Sequence, residues 1–409
     1  MTSIVVVGAG LAGLRAAEVL REKNFPGKIT LVGAEPRLPY NRPPLSKQFL
    51  AGEWDEDRIR LRLPAEFNSL DLDFLNGIKV IGLDLQQRSV QLSQGTTIDF
   101  DGLVIATGAQ NRQLPALDGR PGVFTLRTLT EALALRQALS DAKSLLIVGG
   151  GFIGAEVAST AHGLGIRVCI VEPQQTLMFR GLGKEVGSAM TNLHREKGID
   201  VRCNTEIAHV HDDGERTSIE LSDGTTHTPD VIVIGIGAIP TADWLSGSNV
   251  HLSNGVVCDE NCRVMTADGV AVKSVVAAGD VARWFSRSQN RLVRSEHWTN
   301  AQDQAANAAQ TLLLDLNGKG ADALPYDPTP YVWSDQFGKK IQAIGFIDPA
   351  DKVRIVKGAL SDGKFLGIME RENRFVGAIG VAMVPLVMQA RTLLTEGASL
   401  DVAREKLAS

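Results

Sequence analysis

Residues 4–7, Ile-Val-Val-Val, form an unbroken apolar run. That is the pattern of a parallel strand covered on both faces. A turn rich in glycine follows. Leu14, Ala17, Val19 and Leu20 then recur at helical spacing over 11–23. Residues 29–32 make a second apolar strand, and Glu35 lies just past its end. The same order returns roughly 140 residues later. It comprises a strand at 144–148, a glycine turn, a helix over 153–164 and a strand at 168–171 that stops at Glu172. The pattern predicts a duplicated strand–turn–helix–strand unit, far too long in period for a solenoid repeat.

Each copy is followed by β-rich sequence. Strands are expected at 80–85, 89–92 and 103–108 after the first copy, and at 217–221 and 231–237 after the second. A strand at 275–278 runs into Gly279 and Asp280, and a helix is expected over 299–316. Residues 318–322 read as a linker. Beyond it come five strands (331–334, 340–346, 353–359, 364–370 and 374–381) and one or two terminal helices. The fold class is therefore α/β, with two Rossmann-like dinucleotide-binding domains and a C-terminal α+β domain. The expected boundaries are 1–110 with 240–320, 111–239, and 321–409.

The two glycine turns carry the first chemistry. Gly8-x-Gly10-x-x-Gly13 follows a strand and opens a helix, with Leu11 and Ala12 between its glycines. In such a turn the first glycine permits the tight bend. The second lets backbone approach a pyrophosphate, and the third lets helix and strand pack. The helix N-terminus adds N–H donors and the positive end of a dipole. Glu35 is placed to bond a ribose. The second turn, Gly149, Gly150, Gly151, Phe152, Ile153 and Gly154, has the same context, with Glu172 as its acid. A carboxylate there accepts from the free 2′-hydroxyl of NADH and repels the 2′-phosphate of NADPH. No basic residue follows at once, although Arg180 lies further along and could soften the preference. Two such sites point to FAD and NADH.

With these turns go Arg42-Pro43-Pro44-Leu45-Ser46-Lys47, Ala106-Thr107-Gly108, Glu156, Gly279-Asp280 and Trp333-Ser334-Asp335-Gln336. Together they resemble the flavoproteins with two dinucleotide-binding domains, of glutathione-reductase-like fold. Within that class the whole chain is similar to the ferredoxin reductases of Rieske-type oxygenase and some cytochrome P-450 systems. Putidaredoxin and rubredoxin reductases and the apoptosis-inducing-factor group are relatives. The resemblance implies an FAD-dependent NADH:ferredoxin reductase, passing electrons one at a time to a 2Fe–2S ferredoxin that feeds a terminal oxygenase of aromatic catabolism. It implies that Gly8, Gly10, Leu11, Ala12, Gly13 and Glu35 hold the ADP half of FAD, and that Ala106, Thr107 and Gly108 also bind FAD. Gly279 and Asp280 meet the ribityl chain. Arg42, Lys47, Val80, Arg127 and the backbone around Trp298 line the flavin or its phosphates. The NAD site takes the second turn, Glu156, Glu172, Gly235, Ile236, Gly237 and Trp333. Lys47 and Glu156 match a catalytic pair beside the flavin ring, where a lysine can stabilise the anion formed as hydride arrives and a paired glutamate can moderate its charge. The plainer alternatives are a solvated lysine and a first-turn carboxylate favoured by the helix dipole.

Cysteine usage narrows the electron path. Glutathione-reductase-like relatives place a redox cysteine pair after the first glycine-rich helix, and peroxidase and oxidase relatives place one reactive cysteine there. Residues 39–50 contain none. The four cysteines, at 169, 203, 258 and 262, form no Cys-x-x-Cys, which supports neither a disulfide scaffold nor a zinc ribbon. Electrons must then leave the flavin for an external acceptor. His209 and His211 share one strand face as a metal pair might, yet no third ligand lies near in sequence, so no metal is expected. His297 beside Trp298 is read mainly as packing. Arg283, Arg287, Arg291 and Arg294 fall in a stretch without Asp or Glu, read either as a solvated face or as a docking surface for an acidic ferredoxin.

Composition sets outer bounds. The chain has 409 residues, 44% hydrophobic and 22% charged, as in ordinary globular proteins. Its net charge of −5 makes a general nucleic-acid binder a poor reading. Glycine is over-used, at 41 against about 29 at typical usage, and eleven of these fall in the motifs above. No apolar run is long enough to span a bilayer and no secretory leader is apparent, so the cytoplasm is expected. Two rivals stay open: an NADH oxidase or a rubredoxin or quinone reductase on the same scaffold, and an NADH-binding redox sensor like apoptosis-inducing factor.

Overall fold

The computed structural model describes residues 2–212 and 214–408. Met1 and Ser409, the outer ends of the expected first and last domains, lie outside them. The chain divides into two compact units.

The first unit comprises Met1–Asn41, Ile59–Gln110 and Ala238–Pro328. Its parallel core runs in the order Ala271–Ala277, Gly102–Ile105, Ser3–Val7, Lys28–Gly33 and Asp73–Asn76. Ser3–Val7 lies inside this sheet, with Ile4 opposite Ile29 on one side and Gly102 on the other. Ile4, Val5, Val6 and Val7 are accordingly all buried, which explains why the run shows no alternation. Helices Leu11–Glu22 and Trp298–Leu316 pack against each other within this unit. Further strands extend the sheet at one edge, all paired antiparallel except Val256–Cys258 with Ala282–Ser286, and end in the hairpin Ala282–Ser286 and Arg291–Arg294.

The second unit comprises Arg42–Arg58, Asn111–Gly237 and Thr329–Ser409. It holds a five-stranded parallel sheet, in the order Asp200–Cys203, Arg167–Glu172, Ser144–Val148, Val231–Ile234 and Val123–Thr125. Helix Phe152–Gly163 follows the central strand. Its C-terminal part is a five-stranded antiparallel sheet with helices Val384–Thr395 and Leu400–Ala408. Ile344, Leu366, Ile368, Phe375, Val387, Leu393 and Leu407 form a common core there.

Two expected strands are shorter than their apolar runs. The 103–108 run stops being strand at Ile105, and the 231–237 run stops at Ile234. In each case the chain leaves the sheet because the following carbonyl packs onto the first glycine of a turn. The 318–322 segment is no free linker. Gly320 O accepts from Arg263 Nη2 at 2.6 Å, and the same guanidinium pairs with buried Asp315 at 2.8 Å. That anchor comes from a residue more than fifty positions away, so local composition carries no trace of it.

Candidate functional site

The two glycine turns are built alike. Gly8 has φ +109° and Gly149 φ +104°, backbone that disfavours a side chain. A Cβ on Gly8 would lie 2.2 Å from Ala106 O, and one on Gly149 would lie 2.5 Å from Gly235 O. Gly13 and Gly154 back onto the first glycine of their own turn, where a Cβ would meet its carbonyl at 1.8 and 2.1 Å. Gly10 and Gly151 differ from the other glycines of their turns. A Cβ on either meets nothing within 4 Å. These two glycines therefore face a cradle rather than protein. Each is the N-cap of its helix, with no side-chain cap and no acid in the first turn. The first-turn N–H groups of each helix thus receive no cap from the N-cap side chain, an arrangement that fits a pyrophosphate.

In the first unit, Ala106 and Gly279 pack on the turn. Gly279 lies against Ala12, where a Cβ would come within 3.0 Å of the Ala12 methyl. Gln304 Oε1 accepts from Gly279 N–H at 2.9 Å, which holds the segment bearing Asp280. Thr107 Oγ1 donates to Thr241 O at 2.6 Å, and Thr241 N–H donates to Gly108 O. Glu35 accepts from Tyr40 Oη at 2.6 Å. Trp298, the first residue of its helix, donates from Nε1 to Asn41 Oδ1 at 2.8 Å. Beside it, burial pushes the His297 imidazole down to about 4, with the Asp280 carboxylate acting in the opposite direction. Val80 begins strand Val80–Asp84 and is half-buried.

In the second unit, Glu172 accepts from Gly150 N–H at 2.6 Å and from Gln174 N–H at 2.7 Å. One carboxylate oxygen is thus tied to the turn and the other to the backbone just after Glu172 itself. Ile236 and Gly237 follow Gly235 outside the strand. Arg42 precedes the short helix Pro43–Ser46, and Arg127 N–H donates to Glu131. Trp333 stacks on Tyr331 at 5.8 Å.

Lys47 and Glu156 meet in this unit. Nζ lies 3.0 Å from Oε1, with the side chains 10% and 4% exposed. This corrects both plainer readings. Lys47 is not a solvated lysine, and Glu156 is the fifth residue of its helix rather than a first-turn acid. The carboxylate also accepts from Ser46 Oγ and from Ser334 Oγ at 2.7 Å. Thr160, one turn along the helix, donates to Ser46 O at 2.8 Å. Ser46 lies in the Arg42–Lys47 motif and Ser334 in the Trp333–Gln336 motif, but nothing in sequence separates their hydroxyls from those of surface serines.

The arginine run also changes. Arg287 pairs with Glu260, and Arg294 pairs with Glu296 at 2.8 Å. Arg283 donates to Ser253. Acids outside the segment therefore offset part of its charge, while Arg287 and Arg291 stay exposed. The four thiols are free. Burial raises all of them, Cys169 to about 12, so none is a thiolate at neutral pH. His209 and His211 lie 6.3 Å apart, and His211 faces Glu220 at 3.6 Å. Among the described residues, Cys169, Asp200 and His227 do bring ligand atoms within 4.8 Å of one another. However, Arg202 Nε donates to both Asp200 oxygens at 3.0 Å, a cation already in a metal's place.

Comparison with known proteins adds a lineage. The family model described as pyridine nucleotide-disulphide oxidoreductase matches residues 2–305, and a reductase C-terminal model matches 331–408. The ferredoxin–NAD(+) reductase component of the p-cumate 2,3-dioxygenase system of Pseudomonas putida is 38% identical over 407 residues, covering 99% of this chain and 96% of that one. Rhodocoxin reductase of Rhodococcus erythropolis is 34% identical, covering 96% and 89%. A solved ferredoxin reductase from Rhodopseudomonas palustris superposes with a TM-score of 0.89 at 31% identity, covering all of both chains.

Proposed function

We propose that this chain, which belongs to the pyridine nucleotide-disulphide oxidoreductase family, is an FAD-dependent NADH:ferredoxin reductase. Its acceptor is a 2Fe–2S ferredoxin that feeds a Rieske-type aromatic-ring oxygenase. The observation that carries the reading is the buried Lys47–Glu156 pair in a chain with no cysteine at 39–50. Charge stabilisation is present where a redox thiol would otherwise stand.

Residues 1–110 and 240–320 form the FAD domain, 111–239 the NAD domain and 321–409 the C-terminal domain. The Gly8–Gly13 turn binds the FAD pyrophosphate through backbone N–H groups, and Glu35 takes the adenosine ribose. Ala106, Thr107 and Gly108 approach with backbone, and Asp280 accepts from ribityl hydroxyls. Arg42 and Arg127 neutralise phosphate, and Val80 and Trp298 cover the ring. The Gly149–Gly154 turn does the same for NADH, with Phe152 and Ile153 beside it and Glu172 turned to the 2′-hydroxyl. Gly235, Ile236, Gly237 and Trp333 flank the nicotinamide. When bound, the flavin accepts hydride from NADH and releases electrons singly. Lys47 supplies positive charge where negative charge develops, and Glu156 holds that ammonium in place. Free, raised thiols fit the cytoplasm.

The test is NADH-dependent cytochrome c reduction by the purified holoprotein, with and without an added 2Fe–2S ferredoxin. Strong dependence on the ferredoxin is expected. Fast oxygen consumption without it would overturn the reading in favour of an oxidase.

A further inference from the structure

Strand Tyr331–Gln336 opens the C-terminal sheet, and Ser334 and Gln336 are 0% and 1% exposed. Period-two alternation puts both on one face, packed against helix Phe152–Gly163. Ser334 Oγ donates to Glu156 Oε1 at 2.7 Å. Gln336 Nε2 donates to Ser334 Oγ at 2.9 Å and to Met178 Sδ at 3.4 Å. The turn after the strand is fastened to the same helix. Phe337 N–H donates to Ser159 Oγ at 2.8 Å, and the Phe337 ring meets His162 and His194 edge-on at 5.9 and 4.9 Å.

A hydroxyl has one proton to give. Ser334 Oγ accepts from the Gln336 amide, so its own proton is committed to Glu156. The result is a directed chain: the Gln336 amide to the Ser334 hydroxyl, the hydroxyl to the Glu156 carboxylate, and the Lys47 ammonium to that same carboxylate. Ser334 and Lys47 share one oxygen, Oε1, while Ser46 takes Oε2. Hydrogen bonds polarise one another in such buried chains.

The geometry points to Ser334, oriented by Gln336, as a positioning residue for the Lys47–Glu156 pair, through which the C-terminal domain sets how much of the lysine's charge is left for the flavin. This rests on the reading that Lys47 faces bound flavin. With the hydroxyl present, Oε1 divides its negative charge between two donors. Without it, Oε1 draws on the ammonium alone, and the reduced flavin loses stabilisation.

The test is Ser334→Ala in the holoprotein, read by the midpoint potential of the bound flavin and by rapid-mixing reduction with NADH. The potential is expected to become more negative. Flavin reduction at saturating NADH should slow about tenfold, the scale of one lost hydrogen bond to a charged group. NADH affinity and FAD content should hold, and the melting temperature should fall only by the few degrees that one buried hydrogen bond supplies. Ser334→Thr keeps the hydroxyl and should restore both readouts, and Gln336→Leu should shift the potential in the same direction by less. A potential unchanged or raised in Ser334→Ala, with normal FAD content, overturns the inference. A wild-type flavin that NADH does not reduce would instead sink the reductase reading itself.

Discussion

Lys47 Nζ and Glu156 Oε1 stand 3.0 Å apart, 109 positions apart in the chain. Breaking such a buried pair from one side leaves an uncompensated charge, a change that costs about 3 kcal/mol or more. Lys47→Met is therefore expected to lower unfolding free energy by about that amount in urea. The double variant Lys47→Met, Glu156→Gln should recover most of it. A loss in the double variant equal to the sum of the Lys47→Met and Glu156→Gln losses would show that the pair is not coupled.

The glycines of one turn should separate fold from binding. Gly10→Ala places a methyl where nothing lies within 4 Å, so the apoprotein should melt within about 0.5 kcal/mol of wild type. Its FAD content should fall sharply, because the backbone no longer reaches the pyrophosphate. Gly8→Ala drives a methyl to 2.2 Å from Ala106 O at φ +109°, and should fail as a fold. Full FAD retention in Gly10→Ala would remove the pyrophosphate from this turn.

Glu172 accepts from Gly150 N–H of the second turn and from Gln174 N–H, and its carboxylate would repel a 2′-phosphate. Glu172→Ala should lower the ratio of kcat/KM for NADH over NADPH by about tenfold or more. A ratio that does not move would place cofactor choice elsewhere, with Arg180 the next residue to change.

His297 gives a pH dependence with a definite sign. Its folded value of about 4 lies below the ordinary 6.5. As pH falls, the unfolded chain therefore takes up the proton first, and stability is lost between about 6.5 and 4. The difference in stability between wild type and His297→Asn should be flat above pH 7 and should decline through that window. A difference that stays flat down to pH 4 would mean that the imidazole titrates normally.

The arginine hairpin is a narrower docking surface than its sequence suggests. Arg291→Glu with Arg287→Glu should raise the ferredoxin KM and flatten its dependence on ionic strength, leaving NADH oxidation by ferricyanide intact. Salt dependence identical to wild type would rule this face out.

The elements and the two nucleotide turns were readable because their causes are local. Buried parallel strands must be uniformly apolar, and a backbone that approaches phosphate must be glycine. Gly8, Gly10 and Gly13 therefore announce themselves, as do Gly149, Gly151 and Gly154. Lys47 and Glu156 could be paired only through resemblance, since no period in the chain relates position 47 to 156.

Tertiary structure alone decided the rest. It showed that Glu156 accepts from Ser46, Lys47 and Ser334 together, that Glu260 and Glu296 offset the arginine run, and that Arg263 anchors Gly320. Hydrogen bonds and ion pairs depend on distance in space, while a side chain of one type reads the same in sequence whether it meets water or a buried partner. Backbone requirements act within a few residues and leave a pattern. Charge compensation acts across the fold and leaves none.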